Sequence, residues 1–156
     1  MTTEKKVIRA LPEHGWCFVC GSANPNSMGV TWQILEDNSI VTQVTLTLAQ
    51  QGPPGFAHGG ASAALLDEAM GTSVWVAGHQ VVVVNLQVEY LKPLPLNQPV
   101  RVSGWVEGKE GRAVQARGEI CLPDGEVAVT GHGVYVEAPH LFDELWKRIN
   151  EARKQG

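Results

Sequence analysis

The segment Phe56-Ala-His-Gly-Gly-Ala-Ser-Ala-Ala-Leu-Leu-Asp-Glu-Ala-Met70 sets two carboxylates, Asp67 and Glu68, inside an otherwise apolar run. An ionised carboxylate is costly to bury unless it is paired or hydrogen-bonded, and perturbed acids concentrate at sites of chemistry. The plain structural alternative is that one acid caps a backbone group and the other sits at a helix edge. Gly59 and Gly60 open the same run. Glycine there lets a ligand approach the first-turn N–H groups, which lack intrahelical partners and carry the positive end of the helix dipole. Two such donors can form an oxyanion hole for a carbonyl under attack. Alternatively the glycines only allow a sharp entry after Gly55, with His58 as the helix N-cap.

Spacing bears on this choice. Gly60 and Asp67 are seven residues apart, about 10 Å along a helix rising roughly 1.5 Å per residue. A base and an oxyanion hole serving one carbonyl must both lie within a few ångströms of it. One chain cannot meet that condition. Two antiparallel copies would bring Asp67 of one beside Gly59 and Gly60 of the other, giving two equivalent sites in a two-fold dimer.

The elements that must position these residues follow from periodicity. Gly59–Ala77 is the long helix: 11 of the 17 residues from Ala61 to Ala77 are apolar, and no polar stripe emerges, so it is buried. Before it, Val30–Glu36 and Ile40–Leu48 read as strands joined at Asp37-Asn38-Ser39, and Gln50–Gly55 breaks the chain. After it come strands Val81–Leu91, Val100–Glu107, Ala113–Leu122 and Val127–Glu137, with turns at Gly108–Gly111 and Asp124-Gly125. In the first of these, Leu86, Val88 and Tyr90 share one face and Asn85, Gln87 and Glu89 the other. A terminal helix over 140–154 carries Leu141, Phe142, Leu145, Trp146 and Ile149 on one stripe, expected to pack on the sheet edge. Two strands, one buried helix and four strands predict an α+β fold, a largely antiparallel sheet wrapped around one central helix.

With 156 residues, the chain is expected to form a single domain over 1–156, with a loop-rich segment over 1–29. Twelve basic against 16 acidic residues give a net charge of −4, which argues against a nucleic-acid partner. The purest apolar stretch, Val81–Val84, is only four residues long, and no apolar run approaches the length of a membrane helix. The opening residues lack the apolar core of an export signal, and three cysteines are an odd number, so a reducing cytoplasm is the expected compartment. Cys17-x-x-Cys20 invites a zinc reading, but no second Cys/His pair follows and His14 is the only close supplement. No metal is therefore expected. A redox dithiol would want a βαβ context, which is missing.

These residues carry a family resemblance. Gln51-Gly-Pro-Pro-Gly-Phe-Ala-His-Gly-Gly60, with Asp67 nine residues after His58, resembles the hotdog-fold acyl-CoA thioesterases of the PaaI type, within the 4-hydroxybenzoyl-CoA thioesterase superfamily. Cys17-Phe-Val-Cys-Gly21 with Asn24-Pro25, and Asn85-Leu-Gln-Val-Glu-Tyr-Leu-Lys-Pro93, are similar to that family too, so the likeness spans about Trp16 to Glu137. The resemblance implies hydrolysis of an acyl-CoA thioester by a homodimer at least, or a dimer of dimers, with no cofactor beyond the CoA of the substrate. Asp67 then matches the general base or nucleophile, and Gly59 with Gly60 the amides that polarise the carbonyl. His58 matches a substrate-positioning histidine, the capping role remaining open.

Two departures stand out. Gly52 occupies a position where many relatives have asparagine, and Val83 one where several have a hydroxyl; Asn85, expected on the same strand face as Val83, is the candidate substitute. CoA is polyanionic while the chain is acidic, so a local basic patch is required. Lys92 and Arg112 resemble the family's CoA-contacting segments, with Arg101, Lys109 and Arg117 in reserve. Phe56, Met70 and Trp75 are candidates for an acyl pocket or for plain core. Two other functions are compatible with the pattern: an acyl-thioester hydratase or dehydratase, and a non-catalytic acyl-CoA binding module.

Overall fold

Asp37-Asn38-Ser39 turns the chain because Asn38 takes a left-handed φ of 65°, which asparagine tolerates. The Asp37 carboxylate accepts from the Ser39 N–H at 3.1 Å and from its hydroxyl at 2.5 Å. The turn joins β2 (Gln33–Leu35) to β3 (Ile40–Thr45) as an antiparallel pair. The computed structural model describes residues 4–12 and 14–154. Its remaining elements are β1 (Val7–Ala10), α1 (Gly59–Val76), β4 (Val81–Tyr90), β5 (Pro99–Glu110), β6 (Ala113–Cys121), β7 (Val127–Glu137) and α2 (Pro139–Lys154). A single 3-10 turn, Leu48–Gln50, precedes the helix.

The strands form one seven-stranded antiparallel sheet in the order β1-β2-β3-β5-β6-β7-β4. Three strands precede α1 rather than two. The extra one, β1, lies in the segment expected to be loop. All four of its residues are exposed, so it has no burial alternation to reveal it and is held by backbone pairing to β2. The strand expected over Val30–Glu36 is shorter, and β5 runs on to Glu110 before turning at Gly111-Arg112.

The α1 helix lies on the sheet and is apolar nearly all round, as its composition requires. Leu65, Leu66, Met70 and Val74 are completely buried against Val100, Val102, Val114, Ile120 and Val129 from the strands. Each such side chain contributes roughly 1.5–3 kcal/mol of transfer free energy. Met70 is therefore core, not pocket wall. The helix can approach this closely because Gly104, Gly118 and Gly131 are register partners across β5, β6 and β7. A Cβ at Gly104 would stand 2.5 Å from the Ala69 carbonyl carbon.

The β4 strand is the sheet edge next to β7. Val83, Val84, Leu86 and Tyr90 on it are exposed. A β-bulge breaks its register: Val83 pairs with Tyr135 and Asn85 with Val134, leaving Val84 unmatched. Adjacent residues of a strand face opposite ways, so Val83 shares the helix-facing side with Tyr135 while Asn85 faces away. Asn85 is therefore not on the face of Val83, contrary to expectation. Beyond the bulge, Leu86, Val88 and Tyr90 pair with Gly133, Gly131 and Val129 on the helix side.

In α2, Phe142 meets Trp75 edge-to-face with ring centroids 4.7 Å apart, so this contact is with the C-terminal end of α1 where the sheet edge was expected. Leu141 is exposed, while the side chains of Leu145, Trp146 and Ile149 lie outside the described residues. No described helix is long and apolar enough to cross a membrane.

Candidate active site

Asp67 projects from the middle of α1 and is partly buried. The Tyr135 hydroxyl on β7 donates to Asp67 Oδ1 at 2.9 Å and also lies 3.0 Å from the Asp67 carbonyl oxygen. A phenol has one proton, so these two acceptors share it. Burial pushes the Asp67 carboxyl up; the Tyr135 hydrogen bond pulls it down, the Glu68 charge pushes it up, and the net shift is upward. Burial and then the Asp67 charge push the Tyr135 phenol well above its ordinary range. Sequence reasoning missed Tyr135. The available signal was a lone polar handle on the alternation Val129, Gly131, Gly133, Tyr135, the face of β7 that meets α1.

At the start of α1, His58 is the N-cap: its backbone is extended and its Nδ1 accepts from the Gly60 N–H at 2.8 Å. Of the two glycine amides expected to greet a carbonyl, that of Gly60 is thus already engaged. Gly59, the first helical residue, has no acceptor within the helix for its N–H. Its carbonyl accepts from the Tyr90 hydroxyl at 2.6 Å, fastening the helix start to the end of β4. Eight residues still separate Gly59 from Asp67, about 12 Å of helix.

The glycine at position 52 has a physical reason. A Cβ there would stand 2.8 Å from His58 Cα, so the loop leaves no room for a side chain. Neighbouring Gln51 is spent locally, its side-chain oxygen accepting from the Gly55 N–H at 3.0 Å. Gly52 therefore supplies no water-orienting group, and the oxygen of the Gln51 amide is committed to the loop.

The proposed basic patch is divided. Lys92 pairs with Glu126 beyond the Tyr90 end of β4. Arg112 donates to the Glu137 carbonyl at 2.7 Å, and Glu137 pairs with Val81 at the other end of β4. The ten strand residues from Val81 to Tyr90 span about 30 Å, so one chain does not bring Lys92 and Arg112 together. Phe56 is half-exposed and bridges to Pro95.

A cavity of about 560 Å³ opens at the start of α1, lined by Phe18, Pro25, Met28, Gln50, His58 and Gly60 among others. A larger one, about 650 Å³, lies away from Asp67 beside β1–β3 and the β6–β7 turn. Glu68 turns toward the N-terminal loop, where its two oxygens lie 3.4 and 3.5 Å from the Cys17 thiol, which donates to them. The ligand-bearing atoms of His14, Cys17, Cys20 and Glu68 all fall within 4.8 Å of one another. Sequence reasoning found no fourth ligand near the cysteines because Glu68 is 48 residues beyond Cys20.

An antiparallel sheet laid over one long helix, with a carboxylate at mid-helix and a glycine amide at its start, defines a hotdog-fold protein. The sequence profile of the Thioesterase superfamily matches residues 54–129. The acyl-coenzyme A thioesterase THEM4 of Xenopus laevis is 36% identical over 96 residues, 61% of this chain and 40% of that one. This chain thus spans less than half the length of that curated relative. Among solved structures, the thioesterase superfamily protein RHA08564 is 35% identical with a TM-score of 0.77, over 79% of this chain and 61% of that chain. The E. coli PaaI protein from the phenylacetic acid degradation operon shares the fold at 16% identity and a TM-score of 0.68, over 75% and 85% of the two chains. The chain has the hotdog fold, and it is similar to the thioesterase superfamily over residues 54–129, just under half its length.

Proposed function

We propose that this protein hydrolyses an acyl-CoA thioester at sites shared between two chains. The single observation that carries the reading is the separation, along one helix, of Asp67 from the unengaged Gly59 amide. Pairing of the exposed apolar edge β4 with its own copy, antiparallel, sets the start of one α1 beside the middle of the other. The same pairing sets the Arg112 end of one sheet beside the Gly59 and Lys92 end of its partner, which completes the basic patch that CoA needs.

In this arrangement the partner's Gly59 N–H polarises the thioester carbonyl. Asp67 takes a proton from water, whose oxygen bonds to the carbonyl carbon; the C–S bond then breaks and the CoA thiolate leaves with a proton. The hydroxyl absent at Val83 is replaced by that of its register partner Tyr135, which holds the Asp67 carboxylate in place. No cofactor takes part. The working unit is a homodimer, pairing of two dimers into a tetramer would leave the site unaltered, and the compartment is the cytoplasm.

Complementation tests this reading. Asp67→Asn abolishes thiol release across a panel of acyl-CoAs while binding persists. Gly59→Pro removes the amide proton at a helix position that suits proline, since His58 before it is already extended. Random mixing of the two inactive chains makes half the dimers mixed, each with one intact site, and restores about a quarter of wild-type activity. Mixtures that stay inactive overturn the shared site. Full turnover by Asp67→Asn overturns the assignment of the acid. A wild type that binds acyl-CoA but releases no thiol is a binding module instead, a reading favoured by the absence of water-orienting side chains at Gly52 and Val83.

A further inference from the structure

Two adjacent carboxylates on one buried helix are one more than the proposed chemistry uses. Asp67 turns to Tyr135, and Glu68 turns to a loop that precedes it by almost fifty residues. There Cys17-Phe-Val-Cys20-Gly21 forms a tight knuckle. The Gly21 N–H bonds the Cys17 carbonyl at 2.9 Å, and the amides of Val19 and Cys20 lie 3.4 and 3.5 Å from Cys17 Sγ. Such amides stabilise sulfur as a thiolate. Gly21 is required for the close turn, because a Cβ there would stand 2.4 Å from the Cys17 nitrogen. The Cys17 N–H in turn bonds the His14 carbonyl at 3.2 Å, which brings the imidazole to the same point.

We propose that His14, Cys17, Cys20 and Glu68 hold one zinc ion that staples the N-terminal loop to α1. Tetrahedral zinc, with bonds of about 2.0–2.3 Å, sets its ligand atoms about 3.3–3.8 Å apart. Glu68 Oε1 is 3.4 Å from Cys17 Sγ and 3.6 Å from His14 Nδ1, and all four donor atoms fit within 4.8 Å. Two thiolates, an imidazole and a carboxylate suit zinc in chemical softness and in number. All four positions are filled by protein, so the ion is structural rather than catalytic. The three cysteines are free, none paired in a disulfide. The loop has reason to need the staple: Phe18, between the two cysteines, together with Pro25 and Met28, lines the cavity at the start of α1. The ion would hold one wall of that cavity against the helix that bears Asp67, leaving Asp67 as the one free acid of the pair.

The test is metal analysis of the full-length protein purified without chelator. The expected result is about one zinc per chain, falling to background in Cys17→Ser/Cys20→Ser. Cobalt supplied to the chelator-stripped wild type should give thiolate-to-metal charge-transfer bands and the intense visible bands of four-coordinate cobalt. Glu68→Gln, which keeps the side chain's shape, should weaken zinc retention at least tenfold in competition with a chromophoric chelator. Zinc added back to the stripped wild type should raise Tm. Wild-type protein that neither carries zinc nor gives the cobalt spectrum overturns the site, as does an unchanged metal content in the double cysteine variant. A Cys17–Cys20 disulfide in freshly purified protein, read from thiol counts, also overturns it. Unchanged zinc affinity in Glu68→Gln removes the link to α1, and with it the proposal.

Discussion

Tyr135 and Asp67 lie 68 residues apart in sequence and 2.9 Å apart across the interface of β7 and α1. The tyrosine is almost fully buried, with 2% of its surface exposed, so its hydroxyl has no water to turn to. Removing it in Tyr135→Phe leaves the ring packing intact and the carboxylate without its donor. A partner lost from a buried charged group costs about 1–3 kcal/mol. Urea denaturation is expected to show a loss in that range. Thiol release is expected to fall roughly tenfold or more, since about 1.4 kcal/mol corresponds to a factor of ten in rate. Wild-type kinetics in this variant would show that Tyr135 does not position the acid.

His58 offers a contrasting case. Its ring caps Gly60, so His58→Ala should cost about 1 kcal/mol of stability, and His58→Asn, a strong N-cap residue, should recover most of it. Both variants should keep kcat within a few-fold of wild type. A hundredfold loss of kcat in the folded His58→Asn variant would instead place the imidazole in the reaction.

The glycine row under α1 predicts unequal costs. At Gly104 a new Cβ meets the helix backbone at 2.5 Å, whereas at Gly131 it meets the flexible end of Met70 at 3.1 Å. Gly104→Ala should therefore destabilise by about 3 kcal/mol or more and Gly131→Ala by about 1 kcal/mol. Equal chemical denaturation midpoints for the two would contradict the seating described.

The β2–β3 turn carries an acid-sensitive contact. Burial pushes the Asp37 carboxyl up, but hydrogen bonds from Lys5 and Ser39 outweigh it and bring the group down to about 2. A depressed carboxylate stabilises the fold above its unfolded value, about 3.9, and that contribution is lost as pH falls through about 2. Wild type should thus lose more stability than Asp37→Asn between about pH 4 and pH 2. The effect is small because Lys5 and Asp37 are both exposed. Parallel acid titrations of Tm for the two proteins check this.

How much was legible beforehand depends on the range of the interaction. The long helix and the β6–β7 hairpin announce themselves through local periodicity and turn chemistry, and α1 begins at Gly59 as the glycine pair indicates. The helix-side alternation of Leu86, Val88 and Tyr90 was readable in the same way. By contrast β1 is exposed on every residue, so nothing in its hydropathy marks it. Tyr135 and Glu68 acquire their roles only through partners about 50 to 70 residues away. The side on which Asn85 lies was misread because a bulge leaves no trace in a pattern of period two.

That bulge divides β4 into two independently framed halves. Residues before Val84 are counted in one phase and those after it in the other. Deleting Val84 would set Asn85 directly after Val83 against the adjacent residues Val134 and Tyr135, so the bulge would close and every other side chain of β4 would keep its present face. Val84 is thus an insertion that the face pattern absorbs, whereas a one-residue slip in the pairing would turn over the side chains beyond it. The edge that is proposed to join two chains can therefore lose its kink in one step, with its faces, α1 and the seat of α1 left untouched.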